Sequence, residues 1–82
     1  MATRAFAPRS DQIMEARRFV RRVLEARGIR LRLAEVELLA SELVTNAVQY
    51  GRGPIEVTVD ASDRRVRVDV AHASADHSTP TW

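Results

Sequence analysis

Glu42 and Asn46 stand four residues apart in the stretch SELVTNAVQYG, residues 41–51, a spacing that stacks two side chains one turn apart on a single helix face. The pair has a definite chemistry. An amide carbonyl is a hard oxygen ligand suited to a magnesium ion held beside phosphates. A carboxylate one turn away takes a proton from an attacking hydroxyl if its surroundings raise its pKa. The same spacing also marks the polar border of any amphipathic helix, so by itself it does not choose between the two readings. His72 and His77 add imidazole nitrogens, but no acidic or thiol ligand lies at a fixed spacing from both, and no metal pair is expected there.

The pattern around the pair predicts the elements that must carry it. Ser10 is the expected N-cap of a first helix with Asp11 in its first turn, running to about Arg27 and stopped by Gly28. Ile13, Ala16, Val20, Val23 and Leu24 recur at the spacing of one buried face with Phe19 at its edge, and Arg17, Arg18, Arg21 and Arg22 read as a solvated basic side. A second helix is predicted from about Leu33 to Tyr50, ended by Gly51. Advancing 100° per residue spreads Leu39, Tyr50, Leu43, Val36, Ala47, Ala40, Val44 and Val48 over a broad apolar arc. Glu42 and Asn46 fall on its border, and Ser41 and Thr45 on the far, wet side. The segment PIEVTVDASDRRVRVDVAH then alternates apolar and polar residues twice around a polar turn, the mark of an antiparallel hairpin. Ile55, Val57 and Val59 share one face with Val66, Val68 and Val70, while Glu56, Thr58, Arg65, Arg67 and Asp69 face away. From Ala73 onward the small and polar residues have no period.

These elements give a two-layer α/β (α+β) sandwich, with two helices on an antiparallel hairpin. The expected organisation is a flexible N-terminus over residues 1–9, one domain over 10–72 and a disordered tail over 73–82. A two-stranded sheet is marginal alone, so the expectation is either a homodimer joining two hairpins into one sheet or a loosely packed fragment.

Composition narrows the function classes. The 82 residues contain no cysteine, which excludes disulfides and thiolate metal sites. No apolar run reaches the ~20 residues of a membrane span and the N-terminus lacks a secretory core, so a cytoplasmic protein with no membrane partner is expected. All 13 basic residues are arginine, which lifts the pI to about 10.4 although the net charge is only +2. No aromatic platform or recognition-helix pattern accompanies those charges, so nucleic acid is not an expected partner.

With the elements in place, residues 42–47, E-L-V-T-N-A, resemble the asparagine-bearing motif of histidine-kinase-like ATPases, in the form found in bacterial anti-sigma-factor serine/threonine kinases. The preceding amphipathic helix, the G-x-G-P link at residues 51–54 and the hairpin follow the family's order, so the resemblance covers nearly the whole chain and implies the first half of that fold. Carried over by position, it implies Asn46 as the ligand of a magnesium ion bridging the phosphates of ATP, and Glu42 as the catalytic base. A sigma factor and a phosphorylatable anti-sigma antagonist are the partners it implies.

Two departures stand beside it. The family ends the second hairpin strand near an aspartate that hydrogen-bonds the adenine amino group, and VRVDVAHAS puts His72 at that place. A neutral imidazole offers one acceptor and no charge, so weaker adenine selection is expected. Asp69 is no substitute, because it points to the other face of the strand. The family's lid, glycine-rich phosphate turn and closing strands do not appear in the 82 residues, which reads as a C-terminally truncated domain with a weakened hold on nucleotide. The resulting function is an ATP- and magnesium-binding regulator. The alternative is a non-catalytic interaction module that keeps the helical surface and has lost the nucleotide chemistry.

Overall fold

The computed structural model describes residues 1–30, 32–50, 53–62 and 65–72. Its order is β1 (Ala2–Phe6), a 3-10 turn (Ser10–Gln12), α1 (Ile13–Ala26), α2 (Leu33–Gln49), β2 (Ile55–Ser62) and β3 (Arg65–His72). The sheet is antiparallel with strand order β1-β2-β3, and the helices cover one face of it. The two-layer α+β sandwich expected from the sequence is therefore present, with one strand more than the hairpin.

That strand is a correction. The loose start expected over residues 1–9 contains β1, which pairs with β2 from Ala2 opposite Val59 to Phe6 opposite Ile55. The segment ATRAF is too short and too weakly alternating to declare itself. It is ordered by what it meets: Phe6 is only 3 % exposed and closes the core beside Ile55. The Phe6 ring meets Phe19 of α1 edge-to-face at 6.0 Å between centroids, a favoured aromatic geometry.

Ser10 also takes a different part. It opens the 3-10 turn rather than capping α1, no side-chain cap bond is made, and Asp11 pairs with Arg9 at 3.1 Å. The end of α1 follows expectation closely. Gly28 has φ +74, its N–H donates to the Glu25 carbonyl at 3.0 Å, and the Ile29 N–H donates to the Leu24 carbonyl at 2.9 Å. This is a Schellman termination, in which a residue without a Cβ takes the left-handed position and Ile29 folds back onto the core.

The core lies between the layers. Ala16, Val20 and Leu24 of α1 and Ala40 and Val44 of α2 pack on Ile55, Val57 and Val59 of β2 and Val68 and Val70 of β3. The hairpin register puts Val57 opposite Val70 and Val59 opposite Val68, so the alternation read from the sequence gives one apolar face. The joint between the helices is less relaxed. Arg32, the residue before α2, has φ 61 and ψ 24, a left-handed conformation that an ordinary side chain disfavours by about 1–2 kcal/mol. Arg32→Gly should therefore raise stability by about 0.5–1 kcal/mol, offset in part by the freer unfolded chain. Urea denaturation measures it, and a loss of stability would show that the Arg32 side chain contributes more than its backbone costs.

Candidate nucleotide site on the outer face of α2

Glu42 and Asn46 lie next to each other on α2, both exposed, with no hydrogen bond or ion pair from either side chain among the described residues. The helix is turned further than the sequence arc implied. Ala40 and Val44 are its fully buried residues, with Leu33, Val36, Leu43, Ala47 and Val48 partly buried around them. Ser41 and Thr45, expected on the wet side, are half-buried, and the Thr45 hydroxyl donates to the Ser41 carbonyl at 2.6 Å. Tyr50, expected within the apolar arc, is 77 % exposed and Leu38 is 57 % exposed. A helical wheel cannot foresee this rotation, because the arc is broader than the surface available to cover it. The consequence is that Glu42 and Asn46 stand on the open face rather than at its border, in a row with Leu38 and Gln49.

His72 comes from a different element. As the last residue of β3 it pairs with Ile55, which pairs in turn with Phe6, so it lies on the helix-facing side of the sheet at the end where β2 begins. Its ring is half-buried, and its Nδ1 is a buried polar atom with no hydrogen-bond partner. Such atoms are normally satisfied, and one without a protein partner is available to a ligand or to water. Asp69 points to the opposite, outward face and binds Arg67 at 3.2 Å, as its place in the strand requires. Asp76, His77 and the tail expected to be disordered lie outside the described residues, as do Gly51 and Arg52 of the link.

No hydrogen bond joins His72 to Glu42 or Asn46 among the described residues, so the fold provides two separate features. One is an oxygen-bearing row on α2, and the other is an orphaned nitrogen at the end of β3. Among the described residues no group of three or more His, Cys, Asp or Glu is arranged to hold a metal. A magnesium ion would therefore rest on one or two protein oxygens and take its remaining ligands from phosphates and water, the arrangement magnesium favours. An open depression of about 180 Å³ lies elsewhere, at the turn end of the hairpin, lined by Asp60, Ser62, Arg65 and Arg67.

The sequence reading missed a second orphan. Arg17 of α1 is half-buried and its Nε has no partner, although its helix side reads as solvated. Its placement next to the buried Ala16 and one turn before Val20 is the only signal the sequence carried.

The family model for the histidine kinase-like ATPase domain matches residues 6–81. The chain belongs to the histidine kinase-like ATPase domain family. The match begins at Phe6, the last residue of β1, so of that strand only the core-closing residue falls inside it. No match was found among curated proteins or among solved structures. A histidine kinase-like ATPase domain implies ATP binding, and two features of this fold are compatible with it: the exposed side-chain oxygens of Glu42 and Asn46 on α2, and the unpartnered Nδ1 of His72. No helix among the described residues is long and apolar enough to cross a membrane.

Proposed function

We propose that this histidine kinase-like ATPase domain is an ATP- and magnesium-dependent regulatory protein of the anti-sigma-factor serine/threonine kinase type. The observation that carries the proposal is the exposed, unpartnered pair Glu42 and Asn46 on one face of α2, within a chain of this family. In this reading the Asn46 amide oxygen is a magnesium ligand and the ion screens the phosphate charge. Glu42, one turn earlier, accepts the proton of the hydroxyl that attacks. Its carboxylate is exposed as described, so it serves as a base only when the bound partner shields it from water. His72 receives the adenine edge through its Nδ1. The partners proposed are a sigma factor and a phosphorylatable antagonist, and the compartment proposed is the cytoplasm of a bacterium.

The test is a calorimetric titration of the chain with ATP in magnesium, repeated on Asn46→Ala. The expected result is saturable binding that weakens by at least about tenfold in the variant, the effect of losing one ligand from a charged site. The weakening should disappear when magnesium is withheld, because the amide then has no ion to hold. Binding that Asn46→Ala leaves unchanged with magnesium present would remove the asparagine from the site.

A second reading, the non-catalytic interaction module, is favoured by Leu38 and Tyr50, large apolar side chains exposed on the same helix as Glu42 and Asn46. It becomes the better reading if the wild-type chain produces no heat at millimolar ATP.

A further inference from the structure

Two internal segments meet at the end of the sheet opposite His72: the joint between α1 and α2, and the turn end of the hairpin. Arg27 ties them together, its Nη1 donating to the Ala61 carbonyl at 3.1 Å. The chain then turns at Gly28 and passes Arg30 and Arg32 before α2 begins at Leu33. Across the hairpin, Asp60 pairs with Arg67 and Ser62 with Arg65. Arg27, Arg30, Arg32 and Arg65 are exposed, and none of them has an ion pair among the described residues. The acids nearest to them in the fold are Asp60 and, in the first turn of α2, Glu35. A chain with only 13 basic residues against 11 acidic ones thus gathers unpaired arginine at this one end.

Two further observations point to a ligand there. Arg32 is held at φ 61 and ψ 24, in the left-handed region, and its exposed side chain makes no hydrogen bond or ion pair among the described residues. Backbone strain of this kind is retained where something outside the local fold uses it, and a bound anion supplies the contact that the guanidinium lacks. The hairpin carries the open depression of about 180 Å³ lined by Asp60, Ser62, Arg65 and Arg67. Its walls offer two guanidinium groups and a hydroxyl as donors, beside one carboxylate that only accepts.

Guanidinium groups match carboxylates and phosphates alike, through paired coplanar hydrogen bonds. Asp60 decides between the polyanions that offer them. A uniformly negative surface, whether a nucleic-acid backbone or an anionic bilayer, would set phosphate against the Asp60 carboxylate. A protein segment in which acidic residues alternate with hydroxyl side chains answers both signs, giving carboxylates to the arginines and a donor to Asp60. We infer that the α1–α2 joint and the hairpin turn together form a docking surface for such an acidic, hydroxyl-bearing segment of a partner protein. Arg27, Arg30, Arg32 and Arg65 hold its carboxylates, and Asp60 excludes a uniform polyanion. The inference does not rest on nucleotide binding and stands or falls on its own test.

Fluorescence anisotropy of a labelled peptide alternating glutamate and serine, titrated with the full chain without nucleotide, should show saturable binding that weakens as salt is added. Arg30→Glu with Arg65→Glu should raise the dissociation constant about tenfold or more. Arg9→Glu with Arg18→Glu makes the same change of net charge toward the start of α1 and should move the constant by less than about twofold. Amide chemical shifts of the wild type need no variant: on adding the peptide they should move in the α1–α2 joint and at the hairpin turn, and not along the outward row of α2. A wild type that fails to bind the peptide at millimolar chain overturns the inference. So do two charge reversals that weaken binding equally in folded chains, because net charge alone then explains it, and so do shifts confined to α2. Duplex DNA or a phosphatidylserine vesicle that binds more tightly than the peptide, and is lost on Arg30→Glu with Arg65→Glu, gives the surface a different occupant and overturns it as well.

Discussion

Phe6→Ala is expected to lower the stability of this domain by about 3–5 kcal/mol, the usual cost of removing a buried aromatic ring. The ring is buried between the sheet and α1, touching Phe19 and lying beside Ile55, so its loss leaves a cavity where β1 is fastened to the rest of the fold. A small domain holds only about 5–15 kcal/mol in total and shifts its melting point by about 4–8 °C per kcal/mol. The melting temperature should therefore fall by roughly 12 °C or more, and hydrogen exchange in β1 should become fast. Ala5→Ser is the control, since Ala5 is exposed on the same strand and should change stability by less than about 0.5 kcal/mol. A Phe6→Ala chain that melts with the wild type would mean that residues before α1 contribute nothing, as a loose N-terminus would.

His72→Asp is expected to tighten ATP binding by about tenfold to a hundredfold, and this expectation rests on the proposed nucleotide site. The imidazole has one buried nitrogen without a partner, whereas a carboxylate in its place brings two acceptor oxygens and a charge to the adenine amino group. A hydrogen bond to a charged group contributes about 1.5–3 kcal/mol, and about 1.4 kcal/mol is a factor of ten. Burying that charge in the empty site has a cost, so the same substitution should lower the stability of the nucleotide-free domain. The discriminating measurement is parallel calorimetry with ATP and inosine triphosphate, whose ring carries a carbonyl where adenine carries the amino group. Tightening for ATP and not for the inosine nucleotide assigns the end of β3 to the base. Equal change for both would show that His72 acts on the fold and not on the base.

Read by itself, the sequence located both helices and the hairpin, though not the cap of α1 or which face of α2 is buried. Alternation in residues 55–72 located β2 and β3 and the face they share, because a strand offers its side chains to only two sides. The three-to-four spacing located both helices, and Gly28 marked the end of α1 because only a residue without a Cβ turns left-handed there without strain. The E-L-V-T-N-A string carried the family, and the place of Glu42 next to Asn46 followed from helical geometry alone.

Tertiary structure decided the rest. β1 has too little pattern to be read locally and exists because β2 offers an edge and Phe19 a surface for Phe6. The rotation of α2 was settled by how much of its apolar arc α1 and the sheet could cover. That left Leu38 and Tyr50 outside, drew Ser41 and Thr45 partly in, and moved Glu42 and Asn46 onto the open face. The orphaned nitrogens of Arg17 and His72 belong to the same class, since whether a buried polar atom finds a partner depends on side chains distant in the sequence.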